Sequence, residues 1–101
     1  MIDLKQLQKE IYDNKVAKEF NVTDIPLEFG YTYEELAEAF KAYRKQLPDL
    51  GEELADVIIY LLGLAALLHI DMEKELLNKV DKNKKREYAM VHGKHVRTKE
   101  G

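Results

Sequence analysis

Four acidic side chains fall into two pairs of equal spacing, Glu35-x-x-Glu38 and Glu53-x-x-Asp56, on consecutive segments with helical periodicity. Three residues along an α-helix is a rotation of about 300°, so each pair stands on one flank of its helix, one turn apart. If the two helices pack antiparallel, the four carboxylates face one another. Acids that close repel unless some take up protons or a hard cation sits among them. Mg²⁺, or Mn²⁺ in its place, is the cation that all-oxygen ligands suit. Singly, three of the acids have plain explanations: Glu35 in a capping box, Glu38 on a solvated face, Glu53 as a first-turn partner of the helix dipole. Asp56 is harder to dismiss, because it abuts the most apolar run of the chain, where an unpaired carboxylate is costly.

A second set is basic. Lys79 and Arg86 flank Asn83 at i−4 and i+3, on or beside the stripe begun by Met72, Leu76 and Val80. Arginine offers phosphate oxygens a planar fork and lysine a point charge, so the three suit an anion; a salt bridge to the acids explains them equally well. Lys82, Lys84 and Lys85 read as a solvated face. No histidine follows a glutamate by three residues, so the Glu-x-x-His pairs of di-iron bundles are absent. Nor is there a phosphate-cradling glycine loop, a Ser-His-Asp signature or zinc-finger spacing.

The elements that must position these residues are all helical. Asp3 and Gln6 cap a first helix from about Leu4 to Glu19, and the turn formers between Phe20 and Gly30 read as a loop. Thr32 with Glu35 opens a second helix striped by Leu36, Phe40, Tyr43 and Leu47, and Pro48 ends it. On its acidic flank Ala39 and Ala42 let a neighbouring helix come close. Asp49 with Glu52 opens a third helix, about Leu50 to Leu68, and Asp71 a fourth, Met72 to about Met90. Residues 94–101 have no periodicity, and no stretch shows strand-like alternation. The expected fold is an all-α four-helix bundle forming a single domain over residues 1–92, with a C-terminal tail over 93–101.

The third helix is apolar nearly all round from Val57 to Leu68, which implies a partner subunit, so a homodimer or homotetramer is expected. That run is twelve residues, short of the roughly 18 to 20 that cross a bilayer, and the N-terminus is charged from its first turn. With no cysteine, the chain can hold neither disulfide nor thiolate metal site, and we expect a cytoplasmic protein with no membrane partner. The net charge of −3 divides into −8 over residues 1–78 and +5 over residues 79–101. An acidic body is poorly suited to a nucleic-acid polymer and suits a small anion held beside a metal.

Taken together, Glu35-x-x-Glu38, fourteen intervening residues, Glu53-x-x-Asp56 within YEELAEAFKAYRKQLPDLGEELADVIIYLLGLA, and Lys79-x-x-x-Asn83-x-x-Arg86 resemble the MazG-like all-α nucleoside triphosphate pyrophosphohydrolases over roughly residues 31 to 88. The resemblance implies a magnesium-dependent cut between the α and β phosphates of a nucleoside triphosphate, giving a monophosphate and pyrophosphate in nucleotide-pool house-cleaning. It implies Glu35, Glu38, Glu53 and Asp56 as metal ligands, Glu35 also as the base for water, and Lys79, Asn83 and Arg86 on the phosphates. The first helix and the loop match only in placement; Asn14, Lys15 and Phe20 are the candidates there for the nucleoside end. Phosphoribosyl-ATP pyrophosphohydrolases share the acid pattern, and a non-catalytic helical oligomerisation module would use the same caps and apolar helix.

Overall fold

Carboxylates at helix starts set the architecture. Asp3 caps α1 (Leu4–Ala17), its side chain accepting from the Gln6 amide at 3.0 Å, and Asp71 caps α4 (Met72–Lys85) through the Lys74 amide at 3.2 Å. Both caps agree with expectation. In this computed structural model, which describes residues 1–99, two longer helices lie between them, α2 (Ile25–Arg44) and α3 (Leu50–Leu67). Asp49 precedes α3 as its N-cap without a side-chain hydrogen bond, so the capping pattern expected there is not made.

The start of α2 is a correction. The expected loop from Phe20 to Gly30 is largely helix, because Asp24 is the N-cap, accepting from the Leu27 amide at 3.1 Å, with Pro26 in the first turn. Proline belongs there, where its missing N–H has no helical partner to lose. Asn21 organises the approach: its Oδ1 accepts from the Asp24 amide at 3.0 Å and its Nδ2 donates to the Asp24 carbonyl at 2.9 Å. Thr32, expected as a cap, lies inside the helix with its hydroxyl donating to the Glu28 carbonyl at 2.8 Å. A mid-helix Gly30 costs about 1 kcal/mol against alanine. The contacts of Glu28, described below, hold this turn in place.

The ends of α1, α2 and α3 repeat one device. Glu19, Gln46 and His69 take positive φ of 58°, 55° and 59°, and the next amide bonds back five residues: Phe20 to Lys15, Leu47 to Ala42 and Ile70 to Ala65, each at 2.9 Å. These are Schellman turns built without glycine. They reverse the chain, so α2 and α3 pack antiparallel, with Tyr31 edge-on to Tyr60 at 6.4 Å and Glu35 opposite Asp56. Ala39 and Ala42 are buried, as their small size anticipated, and Leu62, Leu64 and Ala65 complete the buried hydrophobic core among the described residues. Helix α1 lies against α3 at Gly63, where an added Cβ would stand 3.4 Å from Lys15 Cδ and 3.5 Å from Ile11 Cγ2.

Helix α4 turns away from α3 by 113° and docks by its first turn on α1. Glu73 Oε1 accepts from the Leu4 amide at 3.1 Å, while Gln8 accepts from the Met72 amide at 3.2 Å and donates to the Ile70 carbonyl at 2.7 Å. No α4 residue is buried, and the helix stops at Lys85 with Arg86 extended, five residues before the expected Met90. A second correction follows it: β1 (Glu87–Val91) and β2 (Lys94–Lys99) form an antiparallel hairpin around His92-Gly93, whose φ of 51° and 79° suit a tight two-residue turn. The fold is therefore mostly helical, with four helices and one small two-stranded sheet. No single described helix is long and apolar enough to cross a membrane.

The chain is extended for its size. Its radius of gyration is 17.0 Å, against about 13 Å for a compact domain of 100 residues. Large apolar side chains stand exposed on every helix, including Leu36, Phe40 and Tyr43 on α2 and Leu54, Ile58 and Leu61 on α3.

Candidate active site

The antiparallel pairing of α2 and α3 brings Glu35, Glu53 and Asp56 together, each half-buried, with one carboxylate oxygen from each within 4.8 Å of the others. Glu38 is exposed and outside that group, yet its charge reaches both Glu35 and Glu53. Desolvation raises the pKa of Glu35 above the usual carboxylate range, and the charges of Asp56, Glu38 and Glu34 add to it. Desolvation likewise raises Glu53, followed by Asp49, Asp56, Glu35 and Glu38. All these neighbours are acids. The cluster carries uncompensated negative charge, which is the chemistry of a hard-cation site: opposite oxygens around octahedral Mg²⁺ stand about 4.2 Å apart, so modest side-chain rotation would close these three on one ion.

The linkage has a definite sign. A carboxyl whose folded pKa is raised contributes stability below its unfolded value, near 4.3, that is lost as pH rises through the folded value. Metal-free Glu35→Gln should therefore melt above wild type by a margin that widens between about pH 4 and pH 7. Differential scanning fluorimetry in chelator checks this; a margin independent of pH would contradict the repulsion.

The basic set is placed differently. Lys79 and Asn83 lie along the exposed face of α4, and Arg86 Nη1 donates to Asn83 Oδ1 at 2.9 Å. Helix α4 packs on α1, so one chain does not bring this stripe to the acids as expected. Asn14 is exposed on α1, and Lys15 is buried, its Nζ donating to Glu28 Oε1.

Two clefts reach Tyr60, one helical turn beyond Asp56 on α3. One, of about 240 Å³, is bounded by Asn14, Lys15, Phe20 and Tyr60 among others; a smaller one of about 180 Å³ shares Lys15, Phe20 and Tyr60 and adds Asn21, Glu28 and Tyr31. Tyr60 links clefts and cluster. Desolvation raises its pKa first, and the charges of Glu35, Glu28 and Asp56 raise it further. Sequence reasoning missed Tyr60 and Glu28. The first could have been found, since it follows Asp56 by four residues and shares its helix face; the second was hidden inside the supposed loop.

The two longest helices of a mostly helical fold thus bring together three carboxylates in an arrangement that could hold a metal ion. The MazG-like family matches residues 32–101, and the chain belongs to that family. Among curated proteins it is similar to dCTP pyrophosphatase 1 of Rattus norvegicus and of Mus musculus, each 45% identical over 42 residues, which cover 42% of this chain. The chain spans about a quarter of the length of these relatives, 25% in each case. No solved structure gives a significant match.

Proposed function

We propose that the protein is a divalent-metal-dependent nucleoside triphosphate pyrophosphohydrolase, cutting between the α and β phosphates to release a nucleoside monophosphate and pyrophosphate. The observation that carries this reading is the cluster of Glu35, Glu53 and Asp56 in a MazG-like chain. Similarity to dCTP pyrophosphatases supports a nucleotide as substrate. A divalent cation held there, with Glu38 completing the set, would neutralise triphosphate charge and make water a stronger nucleophile. Glu35 accepts the proton as water oxygen bonds to the α phosphorus. The bond from that phosphorus to the bridging oxygen breaks, and pyrophosphate leaves with the electron pair. Lys79, Asn83 and Arg86 hold the leaving phosphates.

Because α4 packs on α1, this reading takes the phosphate-holding set from a neighbouring copy in a homodimer or homotetramer. The extended shape and the exposed apolar faces of α2 and α3 support such an assembly. Sedimentation at micromolar concentration should give at least twice the 11.8 kDa of one chain, and a mass of one chain would overturn it. A panel of nucleotides including phosphoribosyl-ATP, assayed for Mg²⁺-dependent pyrophosphate release, tests the activity itself. Release from nucleoside triphosphates supports it, whereas release from phosphoribosyl-ATP alone or from nothing contradicts it.

A further inference from the structure

The β1–β2 hairpin has no body of its own to rest on. A hairpin of two short strands is marginal in water unless further strands or a helix cover one face, yet among the described residues this one packs on itself and on no helix to a comparable extent. Helix α4, 14 residues and so about 21 Å long, docks on α1 only by its first turn and carries the hairpin at its far end. Residues opposite one another in the ladder share a face, so Tyr88 and Met90 stand with Arg97 and His95 on one side of the sheet. Tyr88 is 54% exposed and Met90 62%. This apolar pair lacks the cover that an isolated hairpin needs.

We propose that a second copy of the chain supplies it: the hairpin of one protomer docks Tyr88 and Met90 in an apolar cleft on α2 and α3 of the other, beside that copy's acid cluster, and the exchange is reciprocal. The cleft, of about 280 Å³, is lined by Phe29, Thr32, Tyr33, Leu36, Val57 and Leu61. It borders the acids, because Thr32 lies one turn before Glu35 and Val57 one turn after Glu53. The charges complement each other. Around the cleft, α2 and α3 carry Glu34, Glu35, Glu38, Glu52, Glu53 and Asp56 against Lys41 and Arg44, whereas the hairpin carries Lys94, Arg97 and Lys99 against Glu87. The inference rests on the assembly read above, in which Arg86 serves a neighbour's acids. Tyr88 and Met90 follow Arg86 by two and four residues, about 7 and 13 Å of extended chain, so a copy that presents Arg86 to the cluster brings this face to the adjoining cleft. One hairpin and one cleft per chain close as a twofold pair, each acid cluster walled on one side by the other copy's strands.

The chain has no cysteine, so engineered thiols report the contact without background. Full-length chains carrying Met90→Cys are mixed with chains carrying Leu36→Cys or Tyr33→Cys, one of the two enlarged by a tag, and oxidised mildly. We expect mixed disulfide dimers to form at least about tenfold faster than with Lys9→Cys, an exposed position on α1 outside the cleft, because docking holds the two thiols at a raised effective concentration. Met90→Asp should raise the Kd of self-association by at least about tenfold with helical circular dichroism unchanged, and Tyr88→Asp covers failure of that variant to fold. Cross-linking no faster than the control overturns the proposal. So does Met90→Cys or Leu36→Cys linking chiefly to itself, which would pair hairpin with hairpin or helix face with helix face, or closure of both thiols within one doubly substituted chain, which would seat the hairpin on its own body. A dimer by sedimentation without the mixed cross-link removes the clamp and leaves the assembly and the hydrolase reading standing; the cross-link without nucleotide hydrolysis retains the clamp and removes the hydrolase reading.

Discussion

Asp56→Asn should lower kcat/KM for nucleoside triphosphate hydrolysis by about 10³ and abolish the rise in melting temperature caused by Mg²⁺. The substitution keeps shape and removes one negative charge from a cluster in which that charge presses on both Glu35 and Glu53. Its effect on stability should therefore change sign with metal. In chelator the variant should match or exceed wild type, because repulsion is relieved. With Mg²⁺ at ten times Kd, wild type should gain about 1.4 kcal/mol, or roughly 6 to 11 °C for a domain of this size, and the variant nothing. A melting shift common to both proteins would move the cation site away from the cluster.

The second large effect separates two neighbours at the C-terminal end of the fourth helix, Lys85 as its last residue and Arg86 just beyond it. Arg86→Ala should reduce kcat/KM by about 10² to 10³, the cost of removing one preorganised charge-stabilising donor, with Mg²⁺ binding intact. Lys85→Ala should do almost nothing. Its side chain is exposed and paired with Asp81 four residues earlier, a kind of contact worth at most a few tenths of a kcal/mol. If Arg86 serves the acids of another copy, inactive Asp56→Asn and Arg86→Ala chains refolded together should regain roughly a quarter of wild-type activity, the statistical yield for a twofold dimer. No recovery on mixing would place acids and arginine in one chain. Equal activity of Arg86→Ala and Lys85→Ala would remove α4 from the chemistry.

The meeting of Glu35, Glu53 and Asp56 was legible in the sequence because i, i+3 spacing on a helix fixes a shared flank, though Glu38 stands outside their group, and Ala39 and Ala42 marked where the neighbouring helix closes. The caps at Asp3 and Asp71 were legible for the same local reason. Three features were not. Pro26 and Gly30 read as breakers, yet proline fits a first turn, and the pairing of Glu28 with Lys15 across thirteen positions is tertiary. The hairpin was hidden because its strands are short and interleaved with lysine, histidine and arginine, leaving only His92-Gly93 as a turn signal. The course of α4 depends on the reversal at His69 and the contacts of Gln8 and Glu73, none of which periodicity reports. Of the stripe, Lys79 and Asn83 lie on that helix as the periodicity indicated, while Arg86 falls just past its end.

The most direct test of the central claim is product stoichiometry from a single nucleotide in isotopically labelled water. Wild type with Mg²⁺ should convert dCTP to one dCMP and one pyrophosphate per turnover, with the label in dCMP because water attacks the α phosphorus, and Asp56→Asn should form neither. Orthophosphate with dCDP, label in pyrophosphate, or undiminished turnover by Asp56→Asn would contradict the assignment of the Glu35, Glu53 and Asp56 cluster as the centre of this reaction.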